Sequence, residues 1–270
     1  ADDPGLLPAA MPALSASAAS SPAVPSSLSG PSGPSMPAHP PASAASVSRR
    51  RGRPPKPLAQ RDAVRQRLVW AGVAALTEKG YSAVGLDEIL RSANVPKGSF
   101  YAYFPGKDAF GLAMIDAYGE YFARKLDRWF LDAQVPPLVR IERFIADAVD
   151  GMARFDFTRG CLVGNLGQEM GALPESFRAR LLDVFRDWQH RTQRCLEAAC
   201  AAGELPPQAD CAFLAEVFWI GWEGAVLRAK LERRGAPLQR FARGFLAAAR
   251  ASCVHAPPVD RPSAPHFGDH

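Results

Sequence analysis

Apolar residues recur every three or four positions along most of the chain, and short breaks divide this recurrence into segments. The spacing places the apolar side chains of a segment on one face of a helix. Glycine and proline stand at the breaks, at Gly80, Pro96 and Pro105-Gly106, where they end helices. No segment alternates apolar and polar residues between turn signals, so the sequence predicts an all-α fold without a sheet. The predicted helices are a first one closed by Gly80, then 86–93, 97–104, 107–131, 138–155, a short glycine-containing segment at 161–170, 175–202, 209–233 and 237–252.

Composition divides the chain into a foldable part and two tails. Residues 1–48 contain 12 Ala, 12 Ser and 10 Pro, so three residue types fill most of this stretch. Such a stretch cannot bury enough apolar surface to offset the entropy of ordering it. Prolines also crowd the C-terminal end. The sequence therefore predicts disordered tails at 1–57 and 255–270, with a core-forming part between them.

A basic arm ends the first tail and runs into the first helix. The chain has a formal net charge of +5, and eight Lys and Arg residues lie between positions 49 and 67, opposed by Asp62 alone. Such a run is either a solvated linker or an attractor of polyanions, of which nucleic acid is the first candidate. Within it, Arg51-Gly52-Arg53-Pro54 resembles an AT-hook, whose two guanidinium groups enter a narrow minor groove. The alternative for Arg51 and Arg53 is general attraction to phosphates.

Three predicted helices with a tight turn between the second and the third form a candidate helix-turn-helix. In the third, Phe100 and Phe104 lie four residues apart and share the face that packs inward. The other face carries a charge, a hydroxyl and two phenols, which suit phosphates and base edges in a major groove. The alternative is a small helical bundle with a polar surface. The candidate DNA-contacting residues are Lys97, Gly98, Ser99, Tyr101, Tyr103 and Lys107, of which Gly98 allows close backbone approach and Lys107 lies near a helix N-terminus.

Residues 84–110, with Thr77–Tyr81 before them, resemble the DNA-binding domain of the TetR family of regulators. The resemblance covers about residues 62–122 and includes the helix order, the turn and the aromatic ending of the third helix. It implies a homodimeric repressor with a helix-turn-helix domain at 58–122 and an effector-binding and dimerisation domain at 123–254. It also places the six candidate residues at the family's DNA-contacting positions. We expect helices 209–233 and 237–252 to form the dimer interface, with Gly221, Gly224 and Ala225 allowing close approach and Leu238, Phe241, Phe245 and Leu246 forming an apolar stripe.

The second half of the chain resembles one branch of that family. Residues 159–170 and 219–230 are similar to acrylate-utilisation regulators and, more distantly, to the repressors of N-ethylmaleimide reductase, which sense electrophiles. The resemblance implies an effector that is a small unsaturated carboxylate, its thioester or an electrophile. Aromatic walls with a few polar groups suit such a ligand. We expect one pocket containing Tyr118, Cys161, Asn165, Gln168, Trp222, Glu223 and Lys230.

Cys161 has two interpretations. Most unpaired helical cysteines are inert core residues. A positive local field, to which Arg159 would contribute, would instead raise the thiolate fraction and make the sulfur a nucleophile. In the electrophile-sensing relatives a lysine at the position of Lys230 faces the corresponding cysteine, so the resemblance implies that contact here. We expect reversible, non-covalent binding of acrylate, with Cys161 as a secondary electrophile sensor.

Other functions find little support in the sequence. It contains no phosphate-binding loop, nucleophile elbow or paired-cysteine metal motif, so we expect neither an enzyme nor a cofactor or metal. Five unpaired cysteines and the lack of an apolar run of about 18–20 residues indicate a reducing, cytoplasmic setting without a membrane span. The alternative function is an effector-independent DNA-bending protein, which ligand-induced release from DNA would discriminate from a repressor.

Overall fold

The computed structural model describes residues 58–252, and every regular element within that range is a helix. The all-α prediction is confirmed for this part of the chain. Both predicted tails, including Arg51 and Arg53, lie outside the described residues. The helices are α1 (Leu58–Lys79), α2 (Leu86–Ser92), α3 (Lys97–Phe100), α4 (Lys107–Phe130), α5 (Pro137–Ala153), α6 (Leu162–Gln168), a 3-10 turn (Met170–Ala172), α7 (Glu175–Ala201), α8 (Cys211–Glu232) and α9 (Ala236–Ala251).

The third helix is shorter than predicted. It ends at Phe100, and residues 101–103 form turns instead of continuing the helix to 104. Pro105 follows, which disfavours helical backbone at Phe104, and Gly106 is fully extended. The regular helix is therefore one turn long, and the turns that follow keep the Phe104 amide bonded to the Phe100 carbonyl at 3.1 Å. Phe100 and Phe104 are both buried in the core, as expected.

Helices α1 to α3 form a small unit, residues 58–104, that we call the head. Its core is apolar and closed by aromatic rings, with Phe100, Phe104 and Phe110 packed against one another at centroid distances of 4.7–5.7 Å. Asn94 makes the turn between α2 and α3 with a left-handed backbone (φ 52°), a conformation that Asn tolerates better than most residues. The Val95 amide then donates to the Leu90 carbonyl at 2.9 Å, which fixes the angle between the two helices.

Helices α4 to α9, residues 107–252, form the body around an aromatic core. Phe122 and Trp219 both pack against the fully buried Trp188, at 4.5 and 4.9 Å between centroids. Trp219 Nε1 donates to Thr192 Oγ1 at 3.0 Å, so this buried polar pair is satisfied. Helix α4 begins beside the head and packs along α7, which links the head to the centre of the body. Within the described residues, no helix combines the length and apolar composition that crossing a bilayer requires.

The expected dimer stripe on the last helix is wrong. Leu238, Phe245 and Leu246 are buried inside the chain, where α9 packs on α5 and α8. Gly221 also serves this packing, because a Cβ there would collide with the Phe241 ring. The apolar face left exposed belongs to α8, which is apolar on both sides. Its exposed large residues are Phe213, Val217, Ile220, Leu227 and Leu231, spaced by three, four and seven positions around the open Gly224.

Candidate functional site

The candidate DNA-contacting residues lie at the free end of the head. Lys97 is exposed and pairs with Asp87 at 3.0 Å, so the ammonium is held beside α2. Gly98 has open space around it, and Tyr101 is 64% exposed. Ser99 lies between them, partly exposed. The structure therefore brings these side chains onto one surface, which can accept a polyanionic partner.

Tyr103 and Lys107 sit at the border of this surface. Tyr103 is half-buried and packs against the core, so only part of its ring faces solvent. Lys107 begins α4, and its amine lies 4.3 Å from the centroid of the Tyr81 ring, a cation–π contact. This contact holds the ammonium beside Tyr81, which follows the end of α1.

Three arginines of α1 contact residues 93–104, which we call the recognition segment, and the sequence analysis missed this role. Arg61 Nη2 donates to the carbonyl of Ala102 at 3.2 Å, and Arg67 Nε donates to the carbonyl of Ala93 at 3.1 Å. The Arg65 guanidinium lies 5.0 Å from the centroid of the Phe104 ring. The sequence shows them only as part of a basic run, and nothing in that run indicates which cations contact backbone.

The head meets the body at a cleft of about 660 Å³, which we call the junction cleft. Three of the predicted effector residues line it: Asn165 and Gln168 from α6, and Lys230 from α8. The end of α1 forms the opposite wall. Other lining residues are Glu78, Lys79, Gly80, Phe157, Thr158, Glu169, Leu227, Leu231 and Arg233.

Donors from the body cap the last carbonyls of α1. Asn165 Nδ2 donates to the carbonyls of Leu76 and Thr77, at 3.1 and 3.0 Å. Lys230 Nζ donates to the carbonyl of Glu78 at 2.8 Å and, more weakly, to that of Thr77 at 3.4 Å. A helix C-terminus leaves its last carbonyls without partners and carries a partial negative charge, so an amide and a cation suit this end.

A carboxylate secures the other side of the same junction. Glu169 accepts hydrogen bonds from the backbone amides of Tyr81, at 2.9 Å, and Ser82, at 2.7 Å. Burial alone would raise the pKa of Glu169, but the hydrogen bonds from Ser82 and Tyr81 and the charge of Lys107 lower it overall. Gly80 leaves room for this carboxylate and has a left-handed backbone (φ 84°) that favours glycine. The sequence analysis identified Gly80 only as a helix stop.

Of the other four predicted effector residues, Tyr118, Cys161 and Glu223 form a separate buried cluster, whereas Trp222 packs against the rings of Phe144, Phe218 and Phe241. Tyr118, Cys161 and Trp222 are buried, and the Glu223 Oε1 atom is buried without a hydrogen-bond partner. Burial raises the pKa of Glu223 to about 7. Gly164 permits the approach of Glu223, because a Cβ there would collide with the carboxyl group. The residues expected in one pocket therefore divide between this inner cluster, the junction cleft and, for Trp222, the aromatic core.

The inner cluster does not supply the positive field that an activated Cys161 would need. Burial, followed by the nearby carboxyl of Glu223, raises the pKa of the Cys161 thiol well above its usual value. Arg159 turns elsewhere, with its guanidinium 4.0 Å from the centroid of the Phe155 ring. The Cys161 sulfur instead accepts from the Gly164 amide at 3.5 Å, which caps α6. Lys230 bonds to the end of α1, so its amine is engaged away from the cysteine.

The two regions of the chain match two families of domains. Residues 68–114 match the description "Bacterial regulatory proteins, tetR family", and residues 137–245 match "Tetracyclin repressor-like, C-terminal domain". The chain is 58% identical over 196 residues to the transcriptional regulator AcuR of Cereibacter sphaeroides, covering 73% of this chain and 89% of that protein. It is 34% identical over 181 residues to the HTH-type transcriptional repressor DhaR of a Mycobacterium species, covering 67% and 89%.

Solved structures agree with these matches. A regulatory protein TetR from Rhodobacter sphaeroides superposes with a TM-score of 0.67 at 59% identity, over 68% of this chain and 97% of that one. The reduced form of the Escherichia coli protein NemR superposes with a TM-score of 0.62 at 27% identity, over 70% and 100%. The likeness therefore extends through both the head and the body.

Proposed function

The chain belongs to the TetR family of bacterial transcriptional regulators, and we propose that it is a repressor that a small unsaturated carboxylate such as acrylate, or a related thioester or electrophile, releases from its DNA operator. Proteins of this family bind DNA and are not enzymes. The resemblance of residues 159–170 and 219–230 to acrylate-utilisation regulators supports the class of effector. The junction cleft, whose lining includes the Lys230 ammonium, supports a small ligand with an acidic group.

The observation that carries this proposal is the attachment of Lys230 to the end of α1. Its ammonium lines the junction cleft and, at the same time, donates to the carbonyl of Glu78. A carboxylate that entered the cleft would compete with that carbonyl for the ammonium, because two opposite charges attract each other more strongly than a cation attracts a neutral carbonyl. Binding of the effector would therefore loosen the head from the body.

This exchange satisfies the thermodynamic requirement for release. A ligand shifts a conformational equilibrium only by its differential affinity for the two states. With Lys230 bound to α1, the ammonium is engaged, and the carboxylate gains less than in the state where α1 has moved away. The ligand therefore favours the state in which the head is free to reorient, and DNA affinity falls.

The state of Cys161 favours non-covalent sensing of acrylate. The raised pKa keeps the buried sulfur protonated at neutral pH, and the thiol form is a poor nucleophile. Acrylate therefore acts as a carboxylate ligand in this proposal. Stronger electrophiles, such as maleimides, remain candidates for slow addition to Cys161.

Operator binding requires two heads. The exposed apolar face of α8 runs through Val217, Ile220 and Leu227, and pairing it with the same face of a second chain would bury it. A two-fold axis through this face would present the two Lys97–Tyr101 surfaces to successive major grooves, about 34–36 Å apart. The proposed partners are thus a second copy of the chain and a palindromic double-stranded operator.

Release from DNA tests the proposal. We would select an operator from a random duplex library with the full chain and measure its binding by fluorescence anisotropy. Acrylate should lower the affinity for this duplex, whereas propionate, the saturated analogue, should do so less. Lys230→Met should abolish the response. Arg228→Met, an exposed neighbour on α8 that pairs with Glu232, is the matched control and should keep it. An unchanged response of Lys230→Met would contradict the role of the cleft.

A further inference from the structure

Two cysteines meet at the corner between α7 and α8, far from the head. Cys200 lies in the last turn of α7, and Cys211 is the first residue of α8. Their Sγ atoms are 3.4 Å apart. Eleven positions and a loop lie between the two cysteines in the sequence. The fold therefore creates a dithiol that their spacing does not reveal.

The corner positions this pair and leaves it accessible. Asp210 accepts a hydrogen bond from the Phe213 amide at 3.0 Å and so fixes the start of α8 at Cys211. A surface cavity of about 370 Å³ is lined by both cysteines and by Glu197, Asp210 and Pro207, among others. Cys200 is partly exposed, whereas Cys211 is 8% exposed. A small reagent can therefore reach Cys200 first.

The electrostatics assign different roles to the two sulfurs. Burial, together with the neighbouring Cys200, Glu197 and Asp210, raises the pKa of the Cys211 thiol to about 12. Cys211 is therefore a poor first nucleophile at neutral pH. It can still attack a neighbouring sulfur once that sulfur has been oxidised, because the two atoms are already in contact.

We propose that Cys200 and Cys211 are an oxidant-sensitive pair that a hydroperoxide converts to an intramolecular disulfide. The Cys200 thiolate attacks one peroxide oxygen, the O–O bond breaks, and the leaving oxygen takes a proton to give water or an alcohol. Cys200 is then a sulfenic acid. The Cys211 sulfur attacks it and loses its proton, the S–O bond breaks, and the departing hydroxide takes that proton to form water. Two thiols have lost two electrons and two protons, and the peroxide has been reduced.

This disulfide would lock the α7–α8 corner. Helix α7 packs on α4, the helix that leaves the head, and α8 carries the exposed apolar face. Closing the corner covalently removes freedom from the loop at 202–210, which joins the two helices. This modification site is independent of the effector proposed above, since it shares no residue with the junction cleft or the inner cluster.

Peptide mapping tests the proposal on the full chain. Cleavage after glutamate gives the peptides 176–197, 198–204 and 205–216, which carry Cys195, Cys200 and Cys211 respectively. Exposure to hydrogen peroxide should lower the intact mass by two hydrogens per disulfide. The remaining thiols are then blocked before cleavage. The peptides 198–204 and 205–216 should then appear joined, and dithiothreitol should separate them.

Three variants make the test decisive. Cys200→Ser and Cys211→Ser should each abolish the joined peptide, whereas Cys195→Ser, a buried cysteine of the same helix, should keep it. The unmodified chain alone decides the result if a variant fails to fold. Peptides 198–204 and 205–216 that remain separate and fully alkylated would overturn the proposal. A link to peptide 176–197, a link between two chains, or irreversible oxidation of Cys200 would overturn it as well.

Discussion

The head surface and the junction cleft differ in how the chain builds them. The head surface draws its side chains from one continuous stretch, residues 97–107, held by a turn of the same segment. The cleft joins the end of α1 to Asn165 and Lys230, which lie 88 and 153 positions away from Thr77. A local motif can specify the first but not the second. The proposed DNA contacts therefore lie in one stretch of sequence, whereas the proposed control by an effector depends on long-range contacts.

The largest expected effect on operator binding comes from preventing two chains from pairing through α8. Ile220 is 69% exposed in the middle of the apolar face of α8, so Ile220→Glu should keep the fold and prevent pairing of two chains. Losing the second head should lower operator affinity by about 10²-fold or more, because linked binding is worth that much. Light scattering and anisotropy measure both. Gln239→Glu, an exposed site on α9, is the control. A dimer that survives Ile220→Glu would show that two chains do not pair through the apolar face of α8.

A second change tests the inner cluster through pH. The pKa of Glu223 is about 7 in the fold against 4.5 as its ordinary value, so the folded chain binds more protons than the unfolded chain in this window. The stability contribution is therefore full below pH 4.5 and declines as pH rises towards 7. Since one pKa unit corresponds to about 1.4 kcal/mol, Glu223→Gln should remove about 3 kcal/mol of that decline.

Urea unfolding at several pH values measures this effect. Glu216→Gln, an exposed glutamate of the same helix, should leave the pH dependence as it is in the parent chain. Parallel stability curves for the parent and Glu223→Gln would mean that the carboxyl is not held protonated by the fold. The ionised Glu223 carboxylate should repel an acidic effector that binds beside it.

The third change sharpens the distinction between the two tyrosines of the recognition segment. Tyr101 is exposed, so Tyr101→Ala should change stability little and weaken operator binding by about tenfold, equivalent to about 1.4 kcal/mol for a lost base or phosphate contact. Tyr103 is half-buried, so Tyr103→Ala should weaken binding and also destabilise the head. Thermal unfolding beside anisotropy separates the two effects. Full operator affinity in Tyr101→Ala would show that the surface around Tyr101 does not bind the operator.

The helices and the head were predictable because their determinants are local. Glycine and proline mark the ends of α1, α2 and α4, and the periodicity places Phe100 and Phe104 in the core. The end of α3 was missed, since it depends on the extended backbone at Gly106. The contacts of Lys230 and Arg61 were also missed. Both side chains donate to backbone carbonyls. Every residue has such a carbonyl, so the residue types in the sequence do not reveal the partner.

The same limit applies to the apolar stripe on α9 and to the surroundings of Cys161. An apolar stripe on α9 looks identical whether it faces another chain or, as here, α5 and α8. Cys161 and Arg159 are neighbours in sequence, yet the fold turns the arginine towards Phe155 and brings Glu223 to the cysteine region instead. A local field is a sum over tertiary neighbours, so adjacent letters do not determine its sign.

The smallest expected effect measures how much the junction holds the head. Asn165 donates to two carbonyls of α1, so Asn165→Leu, which conserves size, should remove two hydrogen bonds and destabilise the chain by about 1–2 kcal/mol, although the Gly80 and Gly160 amides still donate to these carbonyls. Because the contact joins the head to the body, its loss should also make the head easier to release, so acrylate should act at lower concentration. Gln168→Leu lines the same cleft and is the control for a simple change of polarity. Equal stability and equal response in Asn165→Leu would show that the remaining contacts hold the junction without Asn165. These are the hydrogen bonds of Lys230 to Glu78, of the Gly160 amide to Thr77 and of Glu169 to Tyr81 and Ser82.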